Sequence, residues 1–207
     1  LTGKSKCVFE KMKELELYKR TIKKFENSPN YHLVLSNGSG CNSSADEACI
    51  DAGDIQNGRL KINIQNEGRG TLDLAAVILH EGIHAEIYRY VDQYKKGLDP
   101  NNRTNLLYWY KYYKAQNTNG LGTSAAQHQH MADNFVLPIA NAIRTLDNDR
   151  YPIDYYMGFG WDGLRRYGYD GYFDNGNWVS LTKDQSTDYY KKQKIVLDNT
   201  EFNKNCE

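Results

Sequence analysis

Two histidines four residues apart, His80 and His84, stand in the stretch AAVILHEGIHAEIYRYV, with Glu81 directly after the first. On an α-helix, residues at i and i+4 lie one above the other on the same face, so both imidazoles can point at one divalent cation. Glu81 sits one residue round the helix, where it can reach a water on such an ion rather than the ion itself. The chemistry this spacing allows is metal-assisted hydrolysis. A cation acidifies a water while a carboxylate takes its proton and the oxygen attacks a carbonyl.

A catalytic cation of this kind takes three protein ligands and keeps a fourth position open. Candidates for the third lie in SAAQHQHMADNFVLPIANAI. On a helical wheel Ala132, Phe135, Ile139, Ile143 and Leu146 make an apolar stripe, with His128 on it and His130 on the opposite side. The periodicity favours His128 over His130, and Asp133 ranks below both. The alternative for His128 is a helix-start histidine bonded to nearby backbone. Asp133 or Asp73 could instead orient a ligand imidazole from behind.

Tyr155 and Tyr156, in DYYMGFGWDGL, are candidates to stabilise the oxyanion that attack creates, against plain packing in a chain with 17 tyrosines. Gly82 costs the helix about 1 kcal/mol relative to alanine, which suggests close approach by another segment or by substrate. His32, in a strand, is expected to be structural.

The elements that must hold these residues follow from periodicity. A helix is expected over 8–27, with Phe9, Met12, Leu15 or Leu17, and Ile22 inward; strands are expected at 31–37 and 58–66. In the long histidine helix, Asp73, Ala76, Val77, Ile87 and Val91 share the histidine side. Further helices are expected near 104–116, from Ser124 to about Asp147, from Pro152 to about Tyr167, and as a short piece within TKDQSTDYYKKQKIVLDN. Strands first and helices after give an α+β chain. At 207 residues it is read as one domain: an N-terminal helix in 1–30, the sheet and histidine helix in 31–95, and a mainly helical part in 96–207 that brings the third ligand.

Lysine plus arginine and aspartate plus glutamate both number 26, so the net charge is zero. That excludes a general electrostatic grip on nucleic acid or an anionic membrane. No apolar run approaches the ~18–20 residues that span a bilayer. Cys41 and Cys49 flank the polar loop NSSADEA, and Cys7 and Cys206 lie near the two termini. An even count without a C-x-x-C pair points to disulfides Cys41–Cys49 and Cys7–Cys206. The chain is therefore expected to be an exported, secreted or cell-envelope protein whose signal peptide has been removed.

LHEGIHAEIYR, HQHMADNFVLPIA and DYYMGFGWDGL together resemble the zincin superfamily of metallopeptidases, in particular exported bacterial SprT-like and zincin-like proteins, over roughly residues 31–165. The third block is similar to a YYxxxxWxGL pattern. The middle block pairs a histidine with Met-Ala three residues on, which here is His128 followed by Met131 and Ala132. The resemblance implies a small twisted mixed sheet packed on the H-E-x-x-H helix, with residues 59–65 as the edge strand that pairs with an extended peptide. The pattern departs from metzincins, because Tyr88 and Val91 stand where glycine and histidine are required. Glu86 comes too early for a gluzincin ligand.

The expectation is thus a zinc-dependent, monomeric metalloendopeptidase acting on protein or peptide, with His80, His84 and His128 on Zn2+ and Glu81 as general base. The competing readings are a binding module on the same scaffold without proteolysis, and an amidase of cell-wall peptides.

Overall fold

The computed structural model describes residues 1–43, 46–68, 70–96, 111–112, 114–115, 122–167, 171–202 and 206. It has two compact units, one of Leu1–Pro100 with Glu201–Glu207 and one of Asn101–Thr200. Among the described residues are seven α-helices, a mixed three-stranded sheet and a two-stranded sheet, an α+β composition.

In the first unit the helix expected over 8–27 is divided into α1 (Gly3–Met12), α2 (Glu16–Arg20) and a 3-10 turn at Ile22–Phe25. Leu15, extended at φ −64° and ψ 137°, makes the break. The gain is burial. Val8, Met12, Leu15, Leu17, Tyr18, Ile22 and Phe25 are all in the core, and Leu17 lies opposite Val8 on a straight helix, so one unbroken face could not bury both.

Strands β1 (His32–Asn37), β2 (Ala48–Asp51) and β3 (Arg59–Ile64) form the larger sheet in the order β1-β3-β2. β1 runs parallel to β3 with Leu33 opposite Leu60, and β2 runs antiparallel with Ile50 opposite Ile62. The strand expected at the edge, 59–65, is therefore the central one. Its Leu60, Ile62, Asn63 and Ile64 are buried, while Arg59 and Lys61 are exposed. Gly58 makes the parallel pairing possible: at φ +74° a Cβ there would lie 1.9 Å from the Asn30 carbonyl oxygen. Its own carbonyl accepts the His32 N–H at 2.7 Å.

Helix α3 (Thr71–Lys95) packs on β2, β3, α1 and the 3-10 turn at Ile22–Phe25. Leu72, Ala75, Ile78, Leu79, Ile83 and Ile87 are buried along it. At its far end the Tyr31 hydroxyl donates to Asp92 at 2.8 Å, and Lys96 pairs with Asp92 at 2.7 Å. Both expected disulfides are present, Cys7–Cys206 and Cys41–Cys49.

In the second unit, the helix expected from Ser124 to Asp147 is broken into α4 (Gly122–Asn134) and α5 (Val136–Leu146) at Phe135, which sits at φ −121° and ψ −7°. Pro138 explains the break. Its ring excludes the carbonyl four residues back and it has no N–H, both tolerated only in the first turn of a new helix. The helix expected from Pro152 to Tyr167 is shorter, a 3-10 turn at Ile153–Tyr155 and α6 (Met157–Trp161).

A hairpin that the periodicity did not suggest follows, β4 (Gly171–Asp174) and β5 (Asn177–Ser180). Its turn is Asn175-Gly176, with φ +48° and +81°, the pair that a two-residue hairpin of primed type needs. Helix α7 (Lys183–Asn199) is longer than the short piece expected. It starts with a capping box, the Gln185 N–H donating to the Thr182 hydroxyl and the Thr182 N–H to the Gln185 side chain. The tyrosine-rich helix expected near 104–116 lies almost wholly outside the described residues. No described helix is long and apolar enough to cross a membrane.

Candidate metal centre

Helix α3 carries His80, Glu81 and His84 in its middle, so their relative placement comes from helical geometry with no loop involved. His84 is buried, while His80 and Glu81 are half-buried. The two imidazoles meet edge to face with centroids 5.0 Å apart.

His128 lies on α4. Its Nδ1 is 2.8 Å from the Ser124 carbonyl oxygen one turn earlier and 3.3 Å from the Ser124 hydroxyl. With the proton on Nδ1 donated to that carbonyl, Nε2 carries the lone pair a metal needs. The ring stacks on Tyr167, centroids 4.7 Å apart and planes 10° apart, which holds its orientation. Desolvation lowers its pKa, opposed by the Ser124 bond and aided by the Arg166 charge, a shift towards the neutral form that a cation binds.

His80, His84 and His128 together could hold a metal ion, since one imidazole nitrogen from each lies within 4.8 Å of the others. The donor chemistry fits a borderline cation such as zinc: three imidazole nitrogens and no thiolate or carboxylate among them.

Glu81 has surroundings of its own. Desolvation pushes its carboxyl up to about 8, the Asp46 charge pushes the same way, and a hydrogen bond from the Ile50 backbone opposes them. A carboxyl raised that far is mostly protonated at neutral pH and cannot accept a proton. A divalent cation beside it would draw the value back down. The loop with Asp46 is closed by the Cys41–Cys49 disulfide and clamped by Gln65, whose Nε2 donates to the Ser43 and Asp46 carbonyls at 2.9 and 3.0 Å.

The other residues singled out by sequence fall elsewhere. His130 is 1 % exposed, more buried than His128, which reverses the expectation from the stripe; the break at Phe135 shifts the helical phase on which that stripe was drawn. Asn134 donates to the His130 carbonyl at 2.9 Å. Asp133 is buried and accepts from Gln129 at 3.2 Å, and Asp73 is buried in the first turn of α3. His32 is exposed on β1. Glu86 is buried and takes two bonds from Arg89, at 2.7 and 2.9 Å.

Tyr156 is fully buried, and its hydroxyl donates to Asp147 at 2.7 Å. Tyr155 is half-buried and stacks on Tyr151 at 5.0 Å, with Lys192 5.6 Å from its ring centroid. Gly82 faces a protein segment, since a Cβ there would come within 2.6 Å of Ile22 Cγ1.

The sequence reading missed Asp46, Ile50 and Tyr167 as neighbours of the candidate residues. Only Ser124, four residues before His128 on one helix, carries a periodic signal as a partner. Compared with family models, with curated proteins and with solved structures, the chain matches none.

Proposed function

We propose that this chain is a zinc-dependent peptidase of zincin type, with His80, His84 and His128 as metal ligands and Glu81 as general base. The observation that carries the reading is the approach of three imidazole nitrogens to within 4.8 Å with a carboxylate next in sequence to one of them. Zinc, when bound, supplies Lewis acidity that activates water and polarises the scissile carbonyl.

The chain's own residues do the rest. Glu81 takes the proton of the attacking water and passes it to the leaving amine. Ser124 and Tyr167 keep His128 in the ligating tautomer and orientation. Tyr156 gives its one hydroxyl proton to the buried Asp147, so its hydroxyl is engaged in packing the second unit rather than offered to an oxyanion. An extended peptide would pair with β2, an edge strand whose Ile50 backbone already reaches Glu81. The two disulfides fit a protein secreted into an oxidising compartment.

The test uses the full chain loaded with zinc, assayed on unfolded casein and on cell-wall stem peptides. The wild type should cleave casein and lose the activity to a chelator. Glu81→Gln should keep zinc and lose about 10²–10⁴ in rate, the range for a positioned general base. An unchanged rate in that variant refutes the assignment, and preference for stem peptides would redirect it to cell-wall amide hydrolysis.

A further inference from the structure

We propose that the cleft between α5 and the tip of the β4–β5 hairpin binds a neutral saccharide. The inference is independent of the metal, since every residue it uses lies in the second unit and none belongs to the candidate metal set. The cleft has a volume of about 390 Å³, within the range of small-ligand sites and large enough for a sugar ring.

Its lining divides into two kinds of surface. Asn134, Asn141, Asp174 and Asn175 supply amides and a carboxylate, while Leu137, Pro138 and Phe173 supply apolar area. A sugar has the matching division, with hydroxyls that both donate and accept around the ring edge and C–H groups on its faces. Side-chain amides, which also do both, are the natural partners for such hydroxyls. Among the described lining residues there is no lysine, arginine or histidine, and Asp174 would repel an anion. Phosphate, sulfate and carboxylate ligands are therefore disfavoured.

The polar groups are held in place before any ligand arrives. Asn134 donates to the His130 carbonyl at 2.9 Å, which leaves its own amide oxygen as an acceptor. Asn175 donates to Asp174 Oδ1 at 2.9 Å, leaving the second carboxylate oxygen to take a hydroxyl. The Asn175-Gly176 turn, with both residues at positive φ, fixes where the hairpin tip sits.

A second observation comes from the hairpin itself. Phe173 and Trp178 are directly opposite in the β4–β5 register and meet edge to face with centroids 5.0 Å apart. Trp178 keeps 42 % of its surface exposed, unusual for so large an apolar ring. An exposed indole beside an amide-lined cleft extends the apolar wall on which a sugar face can lie.

The experiment is a titration of backbone amide NMR shifts in the full chain with maltotriose, cellotriose, chitotriose and mannotriose. A sulfated heparin trisaccharide and tri-alanine serve as controls. At least one neutral trisaccharide should give saturable shifts at Asn134, Asn141 and Phe173–Gly176. Asn141→Ala, an exposed change on a helix, should weaken binding about tenfold, the size expected for loss of one or two hydrogen bonds. Trp178 also covers Gly171, so Trp178→Phe is the second variant, chosen to keep the hairpin folded. It should weaken binding while hydrolysis and zinc content stay at wild-type values. The proposal is overturned if no neutral sugar gives saturable shifts, if the shifts map to other residues, if either control binds the cleft more tightly, or if both variants bind as the wild type does.

Discussion

At the scale of single residues, His128 is grouped with His80 and His84 as a set that could hold a metal, but its position on an apolar stripe is not the reason. His128 was favoured because it fell on an apolar stripe, yet His130 is the buried one. What recommends His128 is its bond to the Ser124 carbonyl and its stacking on Tyr167. His128→Ala should reduce zinc affinity by at least about 100-fold, beyond the range for losing an outer hydrogen-bond partner, and His130→Ala should leave it nearly unchanged. Competition with a chromogenic chelator measures both, and equal losses in the two variants would contradict the assignment. Tyr156→Phe takes a hydrogen bond from the buried Asp147 and should lower folding stability by about 1–3 kcal/mol, read from urea unfolding.

Among elements, α3 was the most legible, because its twenty-five residues repeat one inward face often enough for a period to be read. The short pieces were not. β2 spans four residues next to a polar loop, and β4 and β5 span four each, too few to establish alternation. The Asn175-Gly176 pair was the one local sign of the hairpin. Gly82 gives a test at this scale. Alanine there gains about 1 kcal/mol of helix propensity but must displace the buried Ile22 side chain, and overpacking of that kind costs about 1–3 kcal/mol. Gly82→Ala should therefore destabilise the protein, and Gly82→Ala with Ile22→Ala should be less damaging than the sum of the two. Additive effects in denaturant titrations would place the contact elsewhere.

For the whole molecule, the disulfides act at very different ranges. Cys7–Cys206 joins residues 199 apart and Cys41–Cys49 residues 8 apart, which on loop entropy is worth roughly 5 and roughly 2.5 kcal/mol. Replacing the first pair by serine should lower the melting temperature more. Replacing the second should change hydrolysis more, because its loop carries Asp46 to Glu81.

Alkali provides an independent global probe. Tyr189 is pushed up to about 12, by desolvation first and then by the nearby Tyr172 and Asp154. A raised phenol contributes stability that is complete below its unfolded value near 10 and is lost as pH climbs towards 12. The urea midpoint should fall across that window, and less steeply in Tyr189→Phe. A slope equal to wild type in that variant would remove Tyr189 from the explanation.

The amino-acid order alone determined the two-histidine helix, the glutamate beside its first imidazole, the α+β composition and both cysteine pairings. Each of these is local, periodic, or a matter of counting a few rare residues. Tertiary structure decided which strand is central and that a polar loop brings Asp46 to Glu81. Those outcomes depend on side chains far apart in the chain competing for the same buried volume, and no period within one segment records that competition.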